Sequence, residues 1–411
     1  MTLQTHDRAN LAGRFQIRNN LLNTMINTLC HSLLKNLTYG NISFILPDGS
    51  VISSHKENSG PNISIQLNNY RSIKQLIVGG GIGFSESYMD GDWDCSDLPT
   101  LIEILALNGE SLAKKLQAFL PLLMTNKLFH RLKANSKKGS LNNIGYHYDL
   151  GNEFYQKWLD TRMLYSSAIY SSAAENIEDA QLRKLNKIFQ LLNLGEGDEV
   201  LEIGCGWGGL ALYLANKQNI LLDGITLSKE QLIHATSIIH EVDTSSIISL
   251  GLTDYRDVHK KYDRVVSIEM IEAVGEEYLS EYFDKIKECL KPGGTAVIQA
   301  ITIDENRFER YKRSPDFIQK HIFPGGFLTT KTMMHELAKN SELDLCHAEY
   351  FGESYARTLR QWRSNFLSSW PEIHKLGYDL RFKRMWDYYL SYCEGGFRAK
   401  SIDVGLYVYR A

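Results

Sequence analysis

Residues 265–275 read VVSIEMIEAVG, an apolar run that ends on a glycine and carries two carboxylates, Glu269 and Glu272. Leaving even a neutral polar group buried and unpaired costs roughly 2–7 kcal/mol. Each side chain therefore either reaches water or is held in place for chemistry. For Glu272 the plain structural reading is a surface carboxylate opening the next helix, where the helix dipole favours negative charge. A second stretch, VLEIGCGWGG at 200–209, places Gly204, Gly206 and Gly208 between a strand-like run and a helical one. Glycines there let the backbone approach a ligand and leave helix N-terminal amides free. Several nucleotide cofactors use such a loop, and the plain alternative is a merely tight strand-to-helix turn. A dinucleotide fold would add an acid at the end of the second strand, about 20 residues on. Here that end reads GITLSKEQ, with Thr226 at the strand end, Leu227 after it and Gln231 one turn inside the helix; the nearest acid, Asp223, falls within the strand.

The elements that must position these residues follow from periodicity. From 140 onward, strand-like runs at 198–203, 219–225, 246–252, 262–268 and 294–303 alternate with helical stretches. That alternation predicts βαβ units and a parallel sheet covered by helices on both faces. Ile402, Val404, Leu406 and Val408 alternate as in a last strand completing the sheet. Before this region, residues 1–110 read as a small α+β unit: helical spacing over 22–33, strands at 41–46 and 62–67, and a helix near 70–78 broken by GGGIG. A further helix opens at SDLPTL, with Ser96 or Asp97 as its cap. Between the two, 111–139 forms a linker in which Lys114, Lys115, Lys127, Arg131, Lys133, Lys137 and Lys138 interleave with Leu and Phe, with no acid among them. This is either a helix packed on a neighbouring domain or a segment lying on anionic headgroups, where each cation adds about 1 kcal/mol.

Composition bounds the rest. With 411 residues, two or three domains are expected, and 43% hydrophobic content can fill a large core. A net charge of −3 argues against a nucleic-acid binder that works by bulk basic charge. The six cysteines show no CxxC pairing, so neither a zinc site nor a disulfide framework is expected, and no metal site is predicted. Neither a signal peptide nor an apolar run approaching the ~20 residues of a membrane span is evident. A cytoplasmic protein that meets a membrane only from its surface is the expectation.

Three more features join the glycine loop: Glu202 before it, TDYRD (253–257) after the third strand, and LKPGG (290–294) leading into the fifth. Together they resemble the doubly wound, Rossmann-like α/β fold of class I S-adenosylmethionine-dependent methyltransferases. Upstream stands YHYDLGNEFYQKWLDTRMLYSSAIY (146–170); EMIEAVG, IFPGGFL (322–328), ESYARTLRQWRSNF (353–366) and FRAK (397–400) follow. In this order the motifs are similar to those of the cyclopropane-fatty-acyl-phospholipid synthase family, which includes the mycolic acid cyclopropane synthases. The likeness spans 140–411 closely, and GFSESYMDGDWDCSDLPTL (83–101) resembles the smaller N-terminal domain of full-length bacterial members.

The resemblance implies transfer of the cofactor's methyl carbon to the cis double bond of an acyl chain in membrane phospholipid. A carbocation then forms, loses a proton to bound bicarbonate and closes to a cyclopropane ring. It implies a homodimer attached to the inner face of the membrane. Tyr165, Ser166, Glu202, Gly204, Cys205, Gly206, Thr226, Leu227, Gln231, Asp254 and Tyr255 would hold S-adenosylmethionine, with Tyr255 against adenine. Glu272, Tyr355, Gln299, Ile301 and Ser167 would surround the bicarbonate, Glu272 accepting its hydroxyl hydrogen and Ile301 donating its amide. Glu269 falls where other members carry glycine, and either touches the cofactor or faces solvent. Two positions depart from the best-known members: Ser167 replaces a cysteine, and Gln299 replaces a histidine. Glutamine donates a hydrogen bond but neither becomes a cation nor relays a proton at neutral pH. The alternatives are a lipid methyltransferase leaving a methyl-branched or methylene chain, and a small-molecule N-methyltransferase.

Overall fold

A computed structural model of the chain describes residues 28, 30–54, 58–109, 111–112, 150–242 and 244–411. The chain divides into two compact units, 1–123 and 124–411. The basic stretch expected to lie on lipid falls, from 113 onward, outside the described residues, as do most of the first helical stretch and the start of the YHYDLGN motif.

In the first unit, β1 (Asn41–Ile45), β2 (Val51–Ser53), β3 (Asn62–Leu67) and β4 (Trp93–Cys95) form a sheet in the order β2-β1-β3-β4. The short β2 and β4 lack the length that would reveal them by alternation. The glycines break α1 (Arg71–Met89) as expected: two helical segments meet at Gly80, whose φ of 57° is left-handed. Gly83 is needed at the kink, because a Cβ there would lie 2.1 Å from the Gln75 carbonyl oxygen. Asp97 caps α2 (Leu98–Leu107), accepting a hydrogen bond from the Thr100 amide.

The second unit is built on a seven-stranded sheet. Its helices are α3 (Asn152–Gln156), α4 (Ile177–Leu192), α5 (Gly209–Lys217), α6 (Lys229–His240), α7 (Leu279–Cys289), α8 (Glu305–Arg313), α9 (Lys331–Asn340), α10 (Gly352–Ser368), α11 (Trp370–Lys375) and α12 (Leu380–Arg398). Its strands are β5 (Glu199–Ile203), β6 (Leu221–Thr226), β7 (Ile247–Leu252), β8 (Tyr262–Ile268), β9 (Leu290–Ile303), β10 (Asp344–Tyr350) and β11 (Ile402–Arg410), ordered β10-β11-β9-β8-β5-β6-β7. β5 to β9 run parallel, as expected, but β11 pairs antiparallel with both β9 and β10. β11 completes the sheet as expected; alternation marks it as a strand but carries no direction. β10, an edge strand with Asp344, His347 and Tyr350 exposed, was not foreseen.

Successive residues of the central strands enter opposite layers, as the pleat requires. Leu201, Val265 and Ala296 join Leu279, Phe283 and Ile286 of α7 on one face. Val200, Val266 and Val297 join Leu185, Ile188 and Leu192 of α4 with Leu210 and Leu214 of α5 on the other. The C-terminal ends of β5, β6, β8 and β9 therefore open side by side at one edge, where ligands bind open α/β sheets.

Candidate active site

β5 runs into the glycine loop, and there three glycines adopt left-handed backbone: Gly204 (φ 83°), Gly206 (φ 53°) and Gly208 (φ 87°). A side chain is disfavoured at each by the clash of Cβ with the carbonyl. At Gly206 a Cβ would meet nothing within 4 Å, so the loop borders open space there. Beside it, Glu202 is 3% exposed and its Oε2 has no partner; burial pushes its carboxyl up to about 8. An orphaned buried acceptor of this kind calls for a donor from a ligand. Cys205 is buried in the turn, and its amide donates to the Ile225 carbonyl at 3.0 Å. Thr226 closes β6, its hydroxyl donating to Gln231 Oε1 at 2.9 Å and accepting from the Ser228 amide at 3.1 Å; Leu227 between them is half-buried. Asp254 holds Arg256 through two charge-assisted bonds of 2.8 and 2.7 Å. The ring of Tyr255 packs edge-to-face on Tyr282, with centroids 5.5 Å apart.

At the ends of β8 and β9 stand the two glutamates. Glu269 follows the last residue of β8 and adopts φ 51°, a conformation uncommon for a residue with a side chain. Its amide donates to the Gln299 carbonyl at 2.8 Å. Its carboxylate accepts three hydrogen bonds: Oε1 from the Ser167 amide at 2.9 Å and from Gln299 Nε2 at 2.6 Å, Oε2 from the Tyr355 hydroxyl at 2.6 Å. Glu269 is thus not turned to solvent: its carboxylate is tied to three donors. Burial raises its carboxyl above the ordinary range, opposed by those donors and by the Lys184 ammonium.

Glu272 lies in the single helical turn Ile271–Ala273. Its Oε1 accepts from the Ile301 amide at 2.6 Å, and its Oε2 is buried without a partner. The surface reading of Glu272 is thereby excluded. Burial first, and then the charge of Glu269, push its carboxyl up to about 8. Two neighbouring carboxylates cannot both ionise cheaply. Three donors favour charge on Glu269, against a single one on Glu272. Both glutamates are half-buried.

The segment 164–168 is positioned by two helices. Lys184 of α4, 1% exposed, donates to Ser166 Oγ at 2.6 Å, and Gln181 Nε2 donates to the Ser166 carbonyl at 3.0 Å. From α10, Thr358 Oγ1 accepts the Ala168 amide at 3.1 Å. Burial lowers Lys184 to about 8 against the pull of Glu269 and Asp160. Aromatic rings complete the wall. The Tyr165 and Tyr389 hydroxyls lie 2.8 Å apart, and the Tyr165 ring is 5.5 Å from those of Trp158 and Trp362. Tyr355 joins wall and acid, packing 4.5 Å from Phe397 and edge-on to Trp362. Sequence reasoning missed Lys184, Gln181, Thr358 and this aromatic wall. A signal existed for all but Thr358: Gln181 and Lys184 interrupt the apolar face of α4, and Phe382, Trp386 and Tyr389 recur at helical spacing on α12.

The glycine cradle and the orphaned Glu202 fit S-adenosylmethionine, which brings a basic amino group and supplies an electrophilic sulfonium methyl. Bicarbonate does not fit. Of the groups expected to hold it, the Ser167 amide, Gln299 Nε2 and the Tyr355 hydroxyl already donate to Glu269, and the Ile301 amide donates to Glu272. An additional anion would face two glutamates, with the two amides and the phenol already committed and one hydrogen of Gln299 Nε2 left.

Fold and loop together define a class I S-adenosylmethionine-dependent methyltransferase. Residues 135–406 match the family described as mycolic acid cyclopropane synthetase. The chain is 35% identical over 334 residues to tuberculostearic acid methyltransferase UfaA1 of Mycobacterium tuberculosis, covering 79% of this chain and 78% of that protein. It is 35% identical over 361 residues to cyclopropane-fatty-acyl-phospholipid synthase of Escherichia coli K12, covering 84% and 87%. Among solved structures it is similar to mycolic acid cyclopropane synthase CmaA1 complexed with SAH and CTAB, with TM-score 0.63 and 26% identity over 66% of this chain and 98% of that one. The chain belongs to the mycolic acid cyclopropane synthetase family.

Proposed function

We propose that this enzyme transfers the methyl carbon of S-adenosylmethionine to the cis double bond of an unsaturated acyl chain in phospholipid and closes a cyclopropane ring. The observation that carries this is Tyr355, which ties an enclosed carboxylate pair to an aromatic wall. An alkene is a weak nucleophile, so alkene and methyl must be held in line, and positioning supplies much of the rate. The cation formed reacts with any water present, and apolar rings exclude water while their π faces favour positive charge. Proton loss then needs an acceptor beside those rings, and Tyr355 brings the Glu269 carboxylate to them.

A second reading, a methylene-bearing chain, is favoured by Gln299 at a position the resemblance assigns to histidine and by the likeness to a tuberculostearic acid methyltransferase. We place the encounter with lipid at the membrane surface; among the described residues no helix is long and apolar enough to cross a membrane. Incubation with the cofactor and vesicles of unsaturated phospholipid, followed by gas chromatography–mass spectrometry of the acyl chains, tests the proposal. A gain of CH₂ at the retention time of a ring standard is expected. A methylene standard matched instead would favour the second reading. No gain, with turnover of a soluble amine, would replace both by N-methylation.

A further inference from the structure

The groups expected to bind an exogenous base instead bind a side chain. We propose that Glu269 is the base of the reaction, its carboxylate standing where a bound oxyanion would otherwise be held. This rests on the reading of C1 transfer to an acyl double bond given above.

Three observations converge on it. The first is the donor set: an amide, a carboxamide and a phenol, drawn from three separate segments, meet on one carboxylate at 2.6–2.9 Å. Such a preorganised set stabilises an anion without reorganisation during reaction. The second is the backbone. A side chain at φ 51° is strained, and it persists only where its surroundings over-determine it. Glycine would avoid that cost, so the carboxylate is retained against a local penalty. The third is Glu272, which has one donor, the Ile301 amide, and an unpartnered Oε2, so that Glu269 with its three donors is the better-stabilised anion of the pair. Gln299 suits this arrangement: it donates to Glu269 through Nε2 and has no proton to exchange with it.

The step balances as follows. The π pair of the alkene forms a bond to the sulfonium methyl while the carbon–sulfur pair stays on sulfur, leaving a cation on the adjacent chain carbon. Glu269 takes one proton from the added methyl, and the electrons of that C–H bond form the third side of the ring. The products are the cyclopropane, the neutral thioether and a protonated Glu269, which returns its proton to water after release. No oxidant or reductant enters.

The test is turnover of purified full-length protein on unsaturated phospholipid vesicles in carbon-dioxide-free buffer, with and without added bicarbonate. Wild type should turn over equally in both. Glu269→Gly frees the Ser167, Gln299 and Tyr355 donors and relaxes the backbone. It should lose about 10²–10⁴-fold without bicarbonate, the usual worth of a positioned base, and recover part of that rate when bicarbonate is added. Glu269→Gln keeps the shape but cannot accept the proton, so it should stay inactive in both buffers. Titration with S-adenosylhomocysteine establishes that each variant is folded. Wild-type turnover that requires bicarbonate would overturn the proposal, as would Glu269→Gln at the wild-type rate. Absence of any CH₂ gain by wild type in either buffer would instead sink the lipid-transfer reading beneath it.

Discussion

Replacing Tyr355 by phenylalanine tests how the acid cluster is tuned. The ring stays, packed on Phe397 and against Trp362, so the wall keeps its shape. What is lost is one hydroxyl, 2.6 Å from Glu269 Oε2. A hydrogen bond to a charged group is worth about 1.5–3 kcal/mol net. At about 1.4 kcal/mol per pKa unit, losing it should raise the Glu269 carboxyl by roughly 1–2 units, because a donor to the charged form has been removed. Glu269 works ionised, so the acid limb of the kcat profile should move to higher pH by that amount. The rate on the limb should fall about 10–100-fold at fixed pH, and wild-type rates should return on the alkaline plateau. The assay is the pH dependence of kcat at saturating cofactor and lipid. An acid limb that does not move, with the rate lowered equally at every pH, would refute the reasoning and leave Tyr355 a packing residue.

Three further outcomes are expected. Glu272 sits at about 8 when folded against an ordinary 4.5, so between those values the folded chain holds a proton the unfolded chain has lost. Stability therefore falls as pH rises across that window, by up to about 1.4 kcal/mol per unit. Denaturation midpoints of Glu272→Gln should gain on wild type steadily from pH 5 to 8, and parallel curves would contradict the assigned charge state. Gly206→Ala adds a Cβ that meets no protein atom, so its folding cost should stay near 1–2 kcal/mol of left-handed strain. Calorimetric affinity for S-adenosylhomocysteine should fall at least tenfold; unchanged affinity would move the cofactor off this loop. Neutralising Lys133, Lys137 and Lys138 together should weaken co-sedimentation with anionic vesicles in a salt-sensitive way, and unchanged binding would remove that stretch from membrane docking.

The cofactor loop was legible because its cause is local: glycines between a strand and a helix report a backbone path no other residue follows easily, and that path is what Gly204, Gly206 and Gly208 adopt. Asp97 and the parallel core were legible for the same reason, through a cap three residues from its amide and through periodicity within single elements. The direction of β11 was not, since alternation is the same in either sense. The role of Glu269 was least legible. Its partners lie 102, 30 and 86 residues away in sequence, at Ser167, Gln299 and Tyr355. A strand-end acid looks alike whether it faces water or three donors, and only the folded chain brings those donors to it. Lys184 illustrates the same limit: on a helical wheel it is a flaw in an apolar face, and in the fold it props the hydroxyl of Ser166.

The central claim is that an enclosed carboxylate takes a proton from the carbon just transferred. Turnover with cofactor bearing a fully deuterated methyl group tests it most directly, by mass spectrometry of the purified acyl product. The account predicts a ring carbon that has kept all but one of its deuterons. A product that retains every deuteron would place the lost proton elsewhere on the chain and contradict it.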